Sequence, residues 1–176
     1  MKPNPNKIEP MEGVGAPPKT GAALVGLLGA VAVGGLMLTI PEDEGTRYKA
    51  YRDVVGVWTI CQGDTKNVAP GMVETKAGCQ RRLEDQLLAH AKPVMACTPA
   101  LAQEGRDHQR WAAVSLAYNI GVNAYCRSSV DRHFDAGNWR AGCDAFLKWR
   151  YAGGKVWPGL VKRREREREI CLRGLA

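Results

Sequence analysis

From Gly21 to Ile40 the chain runs for twenty residues without a charge, long enough to cross the hydrocarbon core of a bilayer as one helix. Beyond Pro41 the pattern changes. "EGTRYKAYRD" predicts a short helix, and the β-branched and aromatic "VVGVWTI" predicts a strand. Gly63, Pro70 and Gly71 punctuate the loops that follow. From about Glu74 the periodicity turns helical. Leu83, Leu87, Leu88 and Ala91 repeat at helical spacing, with Pro93 marking a kink or an end. "HQRWAAVSLAYNIG" carries Trp111, Val114, Leu116 and Tyr118 and closes on Gly121, a C-terminal cap signal. Residues 127–136, 138–150 and 160–172 predict three more helices. The last, "VKRREREREI", alternates charge at helical spacing. There is no internal repeat. The fold class is α+β: a small β-containing lobe joined to a larger helical lobe, preceded by a weakly hydrophobic N-terminal anchor helix.

Composition alters the reading of the apolar run. Five Gly and four Ala make up nearly half of it. Small residues add little transfer free energy, so insertion is marginal. Two readings stand side by side: a small-residue helix that dimerises through its Gly faces, or an anchor able to leave the bilayer. A cleaved signal peptide fits less well, because the run exceeds a typical h-region and no A-x-A site follows. Lys2, Lys7 and Lys19 precede the run, and Glu42, Asp43 and Glu44 follow it. The positive-inside rule then places the N-terminus in the cytoplasm and the remainder outside, in a bacterium the periplasm. Residues 1–20 hold five Pro and few large apolar groups, the composition of a disordered cytoplasmic tail. The organisation expected is a tail over 1–20, an anchor over 21–40 and a folded domain over 41–176.

The whole chain carries 25 Lys and Arg against 18 Asp and Glu, a formal +7. Residues 41–176 alone hold 22 basic and 16 acidic groups, so the excess belongs to the folded part. Such a surface attracts nucleic acid, anionic membrane or an acidic polymer such as cell wall. No basic helix is interleaved with stacking aromatics, which argues against nucleic acid. Six cysteines, at 61, 79, 97, 126, 143 and 171, include no CxxC pair and no histidine at ligand spacing. They point away from a metal site and toward disulfides in an oxidising compartment, in agreement with the topology.

Candidate chemistry lies just past the apolar run. Glu44 and Asp53 are nine residues apart, and Thr59 follows six later. Glycoside hydrolysis needs two carboxyl groups in different surroundings, one protonated to donate to the leaving oxygen and one ionised. On a single helix the two would point in opposed directions. A helix ending near Tyr51 and turning into a strand would instead bring Asp53 back opposite Glu44, with Thr59 hydrogen-bonding the attacking water. Spacing alone does not separate this from solvated surface.

The frame "EGTRYKAYRDVVGVWTICQGDT" resembles the catalytic segment of bacteriophage lysozymes, glycoside hydrolase family 24. "AAVSLAYNIG" is similar to that family's helix with an Asn-x-Gly end, and "YAGGKVWPGLVKRRERERE" to its C-terminal signature. The resemblance spans nearly all of residues 42–172. It implies a two-lobed α+β fold and hydrolysis of the β-1,4 bond between N-acetylmuramic acid and N-acetylglucosamine in peptidoglycan, without a cofactor or metal. Carried over, Glu44 is the general acid, and Asp53 and Thr59 position water or stabilise positive charge, with inversion at the anomeric carbon. Many members have Gly-His-Thr where this chain has Gly63-Asp64-Thr65, so a neighbouring Arg or Lys is expected to satisfy Asp64. The small-residue run resembles that of signal-anchor-release endolysins. These are exported by host secretion machinery, held inactive at the inner membrane and released to the periplasm to lyse the host. A monomer is expected. Glu44 lies four residues past Ile40, so a tethered domain holds it within roughly 15 Å of the bilayer boundary, and release lets residues 21–40 pack on the domain.

Around these groups, Tyr51 and Trp58 either line a sugar subsite or pack in the core. Asn119 either binds an N-acetyl group or caps its helix. Arg163 and Arg164 either pair with Glu44 or hold the last helix in place, the latter being favoured. Trp149 and Trp157 are expected in the helical core, and His90, His108 and His133 outside the chemistry. Six cysteines allow fifteen pairings and the sequence does not select among them; grouping neighbours within lobes gives Cys61 with Cys79, Cys97 with Cys126, and Cys143 with Cys171 as the expected set. A chitin-type endoglycosidase and a catalytically dead wall-binding protein remain alternatives.

Overall fold

The computed structural model describes residues 19–175; the expected tail over 1–20 falls almost wholly outside them. The apolar run is not one rod. Helix α1 (Lys19–Leu28) and helix α2 (Ala30–Glu44) meet at 115° across Gly29. Gly29 takes φ 86, a backbone state that costs a side chain but suits glycine. Among the described residues no single helix is long and apolar enough to cross a membrane. Both helices instead lie in the protein's core. Leu24, Leu28, Ala32, Leu36 and Ile40 recur about every fourth residue, and all are fully buried. They join Leu83, Leu87 and Val94 of α3 (Lys76–Cys97) and Ala113, Leu116 and Ala117 of α4 (Asp107–Ile120). Each of the larger aliphatic side chains contributes about 2 kcal/mol by leaving water.

Helix α2 passes through Pro41 and ends at Glu44, where Gly45 (φ 70) donates to the Pro41 carbonyl. The helix expected over 44–53 is therefore absent. Residues 47–52 form strand β1 (Arg47–Arg52), antiparallel to β2 (Trp58–Cys61). Pairing on both edges overrides local propensity: Ala50 N donates to Met72 O, and Glu74 N donates to Tyr48 O. The predicted strand "VVGVWTI" likewise begins later, because residues 54–57 make the hairpin turn and leave Val54 and Val55 on the surface. A small core of Ala50, Ile60, Cys61 and Cys79, flanked by Trp58, Val68 and Met72, underlies this lobe.

The helical lobe continues with α5 (Val122–Tyr125), α6 (Ser129–Asp135) and α7 (Trp139–Ala145). A short hairpin of β3 (Tyr151–Ala152) and β4 (Lys155–Val156) then leads into α8 (Pro158–Arg173). Helix α3 runs past Pro93 to Cys97 rather than stopping there. Gly121 (φ 86) closes α4 as expected, its N–H donating to Ala117 O. Cysteines bond as neighbours: Cys61–Cys79 ties β2 to α3, Cys97–Cys126 ties the end of α3 to the region after α5, and Cys143–Cys171 ties α7 to α8.

The Cys143–Cys171 bridge spans 28 residues of sequence, a closure expected to add about 3 kcal/mol through the unfolded chain. The paired substitution Cys143→Ala with Cys171→Ala should lower unfolding free energy by about that amount in a guanidinium titration, with the denaturant midpoint as the readout.

Candidate active site

Glu44 occupies the last helical position of α2, at the junction of two hollows. One, of about 310 Å³, is walled by Gln62, Gly63, Gln86, His90 and Tyr118. The other, of about 330 Å³, is walled by Ala152, Trp157, Gly159, Leu160 and Arg163. Glu44 and Asn119 belong to both. Asn119 stands exposed at the end of α4, aligned with the cleft.

The carboxylate of Glu44 is held from below. Arg163 Nη1 donates to Glu44 Oε1 at 2.6 Å, while its Nε lies 3.2 Å from Asp43 Oδ2 and 3.3 Å from Glu167 Oε1. Arg163 is thus shared among three carboxylates. Burial works against its charge, but the hydrogen bond to Glu44 and the charges of Glu167, Asp43 and Glu44 hold the guanidinium above its ordinary pKa. Glu167 is almost completely buried. Burial pushes its carboxyl up, opposed by Arg164, the Ser115 hydroxyl and Arg163. Ser115 Oγ donates to it at 2.6 Å and Arg164 Nη2 at 2.8 Å. Arg166 completes the group on Asp43. Arg163 therefore does pair with Glu44 while also locking α8 against α2 and α4. Both candidate roles of Arg163 are thus realised together, which the alternating charge of "VKRREREREI" did not decide, because such a pattern reads as a solvated face.

Asp53 and Thr59 sit together on the β1–β2 hairpin. Asp53 Oδ1 accepts the N–H groups of Val55 at 3.0 Å and Val57 at 2.8 Å, which locks the turn. Oδ2 makes no hydrogen bond among the described residues. Thr59, buried and opposite Tyr51, donates its hydroxyl to Val57 O at 3.1 Å. Neither Asp53 nor Thr59 lines the two hollows at Glu44. Tyr51 and Trp58 do not line them either. Arg47 stands 4.2 Å over the Tyr51 ring and Arg52 stands 5.1 Å over Trp58, so each ring has one face covered.

One aromatic position departs from expectation. Trp157 is not in the helical core: it is 55% exposed and faces the second hollow. The bond to Pro158 holds it extended (φ −111, ψ 122) just ahead of α8, outside the helix that would have carried it inward. His90 lies beside the first hollow, its ring 5.0 Å from that of Tyr118. The Tyr118 hydroxyl, 3.0 Å from Gln62 O and 2.6 Å from Gln86 Oε1, joins the small lobe to α3 and α4. Asp64 finds the basic partner expected of it: Arg82 Nη1 donates to its Oδ2, while Arg82 Nε pairs with Glu74. That hydrogen bond from Arg82 draws the Glu74 carboxyl below its usual range.

Residues 41–167 match the family model described as phage lysozyme. Over 151 residues the chain is 39% identical to the SAR-endolysin of Enterobacteria phage P21, covering 83% of this chain and 90% of that protein. Among solved structures, a variant of P22 lysozyme aligns with a TM-score of 0.70 at 32% identity, over 79% of this chain and 95% of that one. The active form of the P1 phage endolysin Lyz aligns with a TM-score of 0.72 over 90% of this chain and 94% of that one; at 24% identity this likeness concerns the fold.

Replacing Arg163 by Gln leaves Glu44 without its cation and takes one of two cations from the buried Glu167, which keeps Arg164 and Ser115, while Asp43 keeps Arg166. Loss of one partner from a buried ion-pair group costs about 3–5 kcal/mol. Thermal unfolding of Arg163→Gln should show a deficit toward the lower end of that range, because Arg164 stays on Glu167, yet beyond that of Arg173→Gln, whose pair with Glu169 is solvated.

Proposed function

We propose, for a chain that belongs to the phage lysozyme family, that Glu44 is the general acid of a muramidase whose activity is set by where residues 19–44 reside. The enzyme is a lysozyme-type glycoside hydrolase and a phage endolysin, and its substrate is peptidoglycan. On this reading Glu44 protonates the oxygen of the β-1,4 linkage from N-acetylmuramic acid to N-acetylglucosamine. Asp53 is held by the turn N–H groups on Oδ1, which leaves Oδ2 to orient water or face the oxocarbenium-like charge with Thr59 beside it. Inversion follows if water attacks from the Asp53 side.

The observation that carries the regulatory half is the continuity of α2. One uninterrupted helix holds Ala32, Leu36 and Ile40 in the core and ends on Glu44. A membrane-spanning form needs residues 21–40 straight, whereas the packed form bends them at Gly29. The two states are mutually exclusive, and only the packed one supports Glu44 on Arg163. We therefore read the segment as a signal-anchor exported by the host secretion machinery. It holds the catalytic domain at the periplasmic face of the inner membrane until it escapes and docks as a monomer.

The glycines of the segment divide by role. Side chains at Gly26 or Gly34 would meet nothing within 4 Å. A Cβ on Gly29 would overlap the Asp107 carboxylate, and one on Gly35 would overlap the Trp111 ring. Trp111 lies against Gly35 and donates its indole N–H to Thr39 Oγ1 at 3.2 Å. Gly26 and Gly34 thus serve escape from lipid, while Gly29 and Gly35 serve docking.

Glu44→Gln should abolish clearing of purified cell walls while leaving the melting temperature near that of the parent; undiminished clearing would remove Glu44 from the chemistry. Gly26→Leu with Gly34→Leu should raise the fraction pelleting with inner membrane and delay lysis, yet leave detergent-free purified enzyme active. Gly35→Val should leave the membrane normally but lose about tenfold or more in specific activity through a displaced acid. Parent-like partitioning of Gly26→Leu with Gly34→Leu would defeat the escape reading, and parent-like activity of Gly35→Val would defeat docking as what seats Glu44.

A further inference from the structure

Glu44 borders both hollows, so a polymer cleaved there has room for sugars on either side of the acid. Their walls differ. The Gln62–His90 side is polar. On the other side the dominant surface is the indole of Trp157, which is 55% exposed. A large exposed aromatic ring beside a candidate acid leaves apolar area in water that folding could have removed. Both of its N–H groups are already used. Its backbone N donates to Arg150 O at 3.1 Å, and Nε1 donates to Ala152 O at 3.0 Å. These two bonds fix the ring against the β3–β4 hairpin and leave its flat surface as the group available to a ligand.

Gly159 adds an independent observation. It is the second residue of α8, where glycine is still a poorer helix former than Ala, though by less than the ~1 kcal/mol of a helix interior. Neither its φ nor its packing requires glycine, since a Cβ there would touch nothing within 4 Å. It does line the hollow with Trp157. A residue that weakens the helix and serves no internal contact, placed on the floor of a cavity, keeps space open.

We propose that Trp157 is a substrate-contacting residue that determines glycan affinity: its ring is the stacking surface for a pyranose of the strand on the Arg163 side of Glu44, with Gly159 keeping room for that sugar and Asn119 in reach of an N-acetyl group. Pyranose rings present a face of C–H groups that matches an aromatic plane, and the fixed ring loses little entropy on contact. Tyr51 and Trp58 are less suited, each having one face under a guanidinium. The proposal rests on Glu44 being the acid.

The test is steady-state hydrolysis of peptide-free glycan strands by the full chain, with melting temperatures recorded for each variant. Trp157→Ala should raise KM about tenfold, the equivalent of roughly 1.4 kcal/mol, with kcat much less affected. Trp157→Phe keeps a ring but loses the indole N–H, and should retain most of the affinity. Tyr151→Ala, equally exposed but outside the hollow, should leave KM unchanged. Gly159→Val should raise KM by filling the floor. Unchanged KM in Trp157→Ala overturns the proposal. Equal losses in the Ala and Phe variants also overturn it, because the hairpin tether rather than the ring would then be what matters. Glu44→Gln assayed in parallel separates the two ideas: activity there unseats Glu44, whereas an inactive Glu44→Gln with parent-like Trp157→Ala unseats only the stacking surface.

Discussion

The stiffness of one helix governs this protein. Helix α2 carries its apolar stripe and its terminal carboxylate on the same rod. With a rise of about 1.5 Å per residue, Glu44 must lie roughly 6 Å beyond Ile40 along the axis wherever Ile40 is seated. Burial of Leu36 and Ile40 against α3 and α4 therefore aims Glu44 at the cleft, and Arg163 meets it there at 2.6 Å. Gly45 ends the rod at once, which lets β1 depart toward the small lobe, whose hairpin carries Asp53 and Thr59. The position of the candidate acid is set by hydrophobic packing up to three turns away, and its immediate polar neighbours complete what that packing begins.

On the proposed reading the same segment satisfies two environments, and its small residues make that feasible. When packed, its outer face is largely Ala22, Ala23, Gly26, Ala30 and Gly34, with Val25, Val31 and Leu38 as the larger exposed groups. Gly and Ala offer little apolar area to water, so the packed form carries a modest solvation penalty. They also offer little to lipid, so a spanning form would be weakly held. The inner face is different: Leu24, Leu28, Leu36 and Ile40 are large and fully buried. Weak hydrophobicity averaged over the run thus hides a sharp division between its faces.

Electrostatics follow a comparable division on α8. Arg163, Arg164 and Glu167 turn inward to meet Ser115, Asp43 and Glu44, while Arg168 pairs with Asp144 near the surface and Arg173 pairs with Glu169 in solvent. Sharing one guanidinium among three carboxylates orients Glu44 without committing the whole cation to it. Disulfides at the ends of α3 and on α7–α8 brace the frame in which this sharing occurs.

Much of the architecture was legible from the chain alone. Helical periodicity from Glu74 onward, Gly121 as a cap and the need of Asp64 for a basic partner all rest on local rules of spacing, charge and capping. The resemblance carried by the Glu44–Thr59 frame likewise lay in a contiguous stretch. What local rules could not supply was anything decided by contacts distant in sequence. Residues 47–52 became a strand because Met72 and Glu74 offered hydrogen bonds across a loop. Residues 21–40 bent at Gly29 because α3 and α4 offered a core to fill. Arg163 reached Glu44 across 119 positions. Trp157 stayed outside the core because Pro158 and the β3–β4 hairpin held it at the cleft. Spacing and composition determined which elements form and which chemistry they can carry; only long-range packing, where one partner's free energy depends on another far along the chain, decided which face each element turns inward.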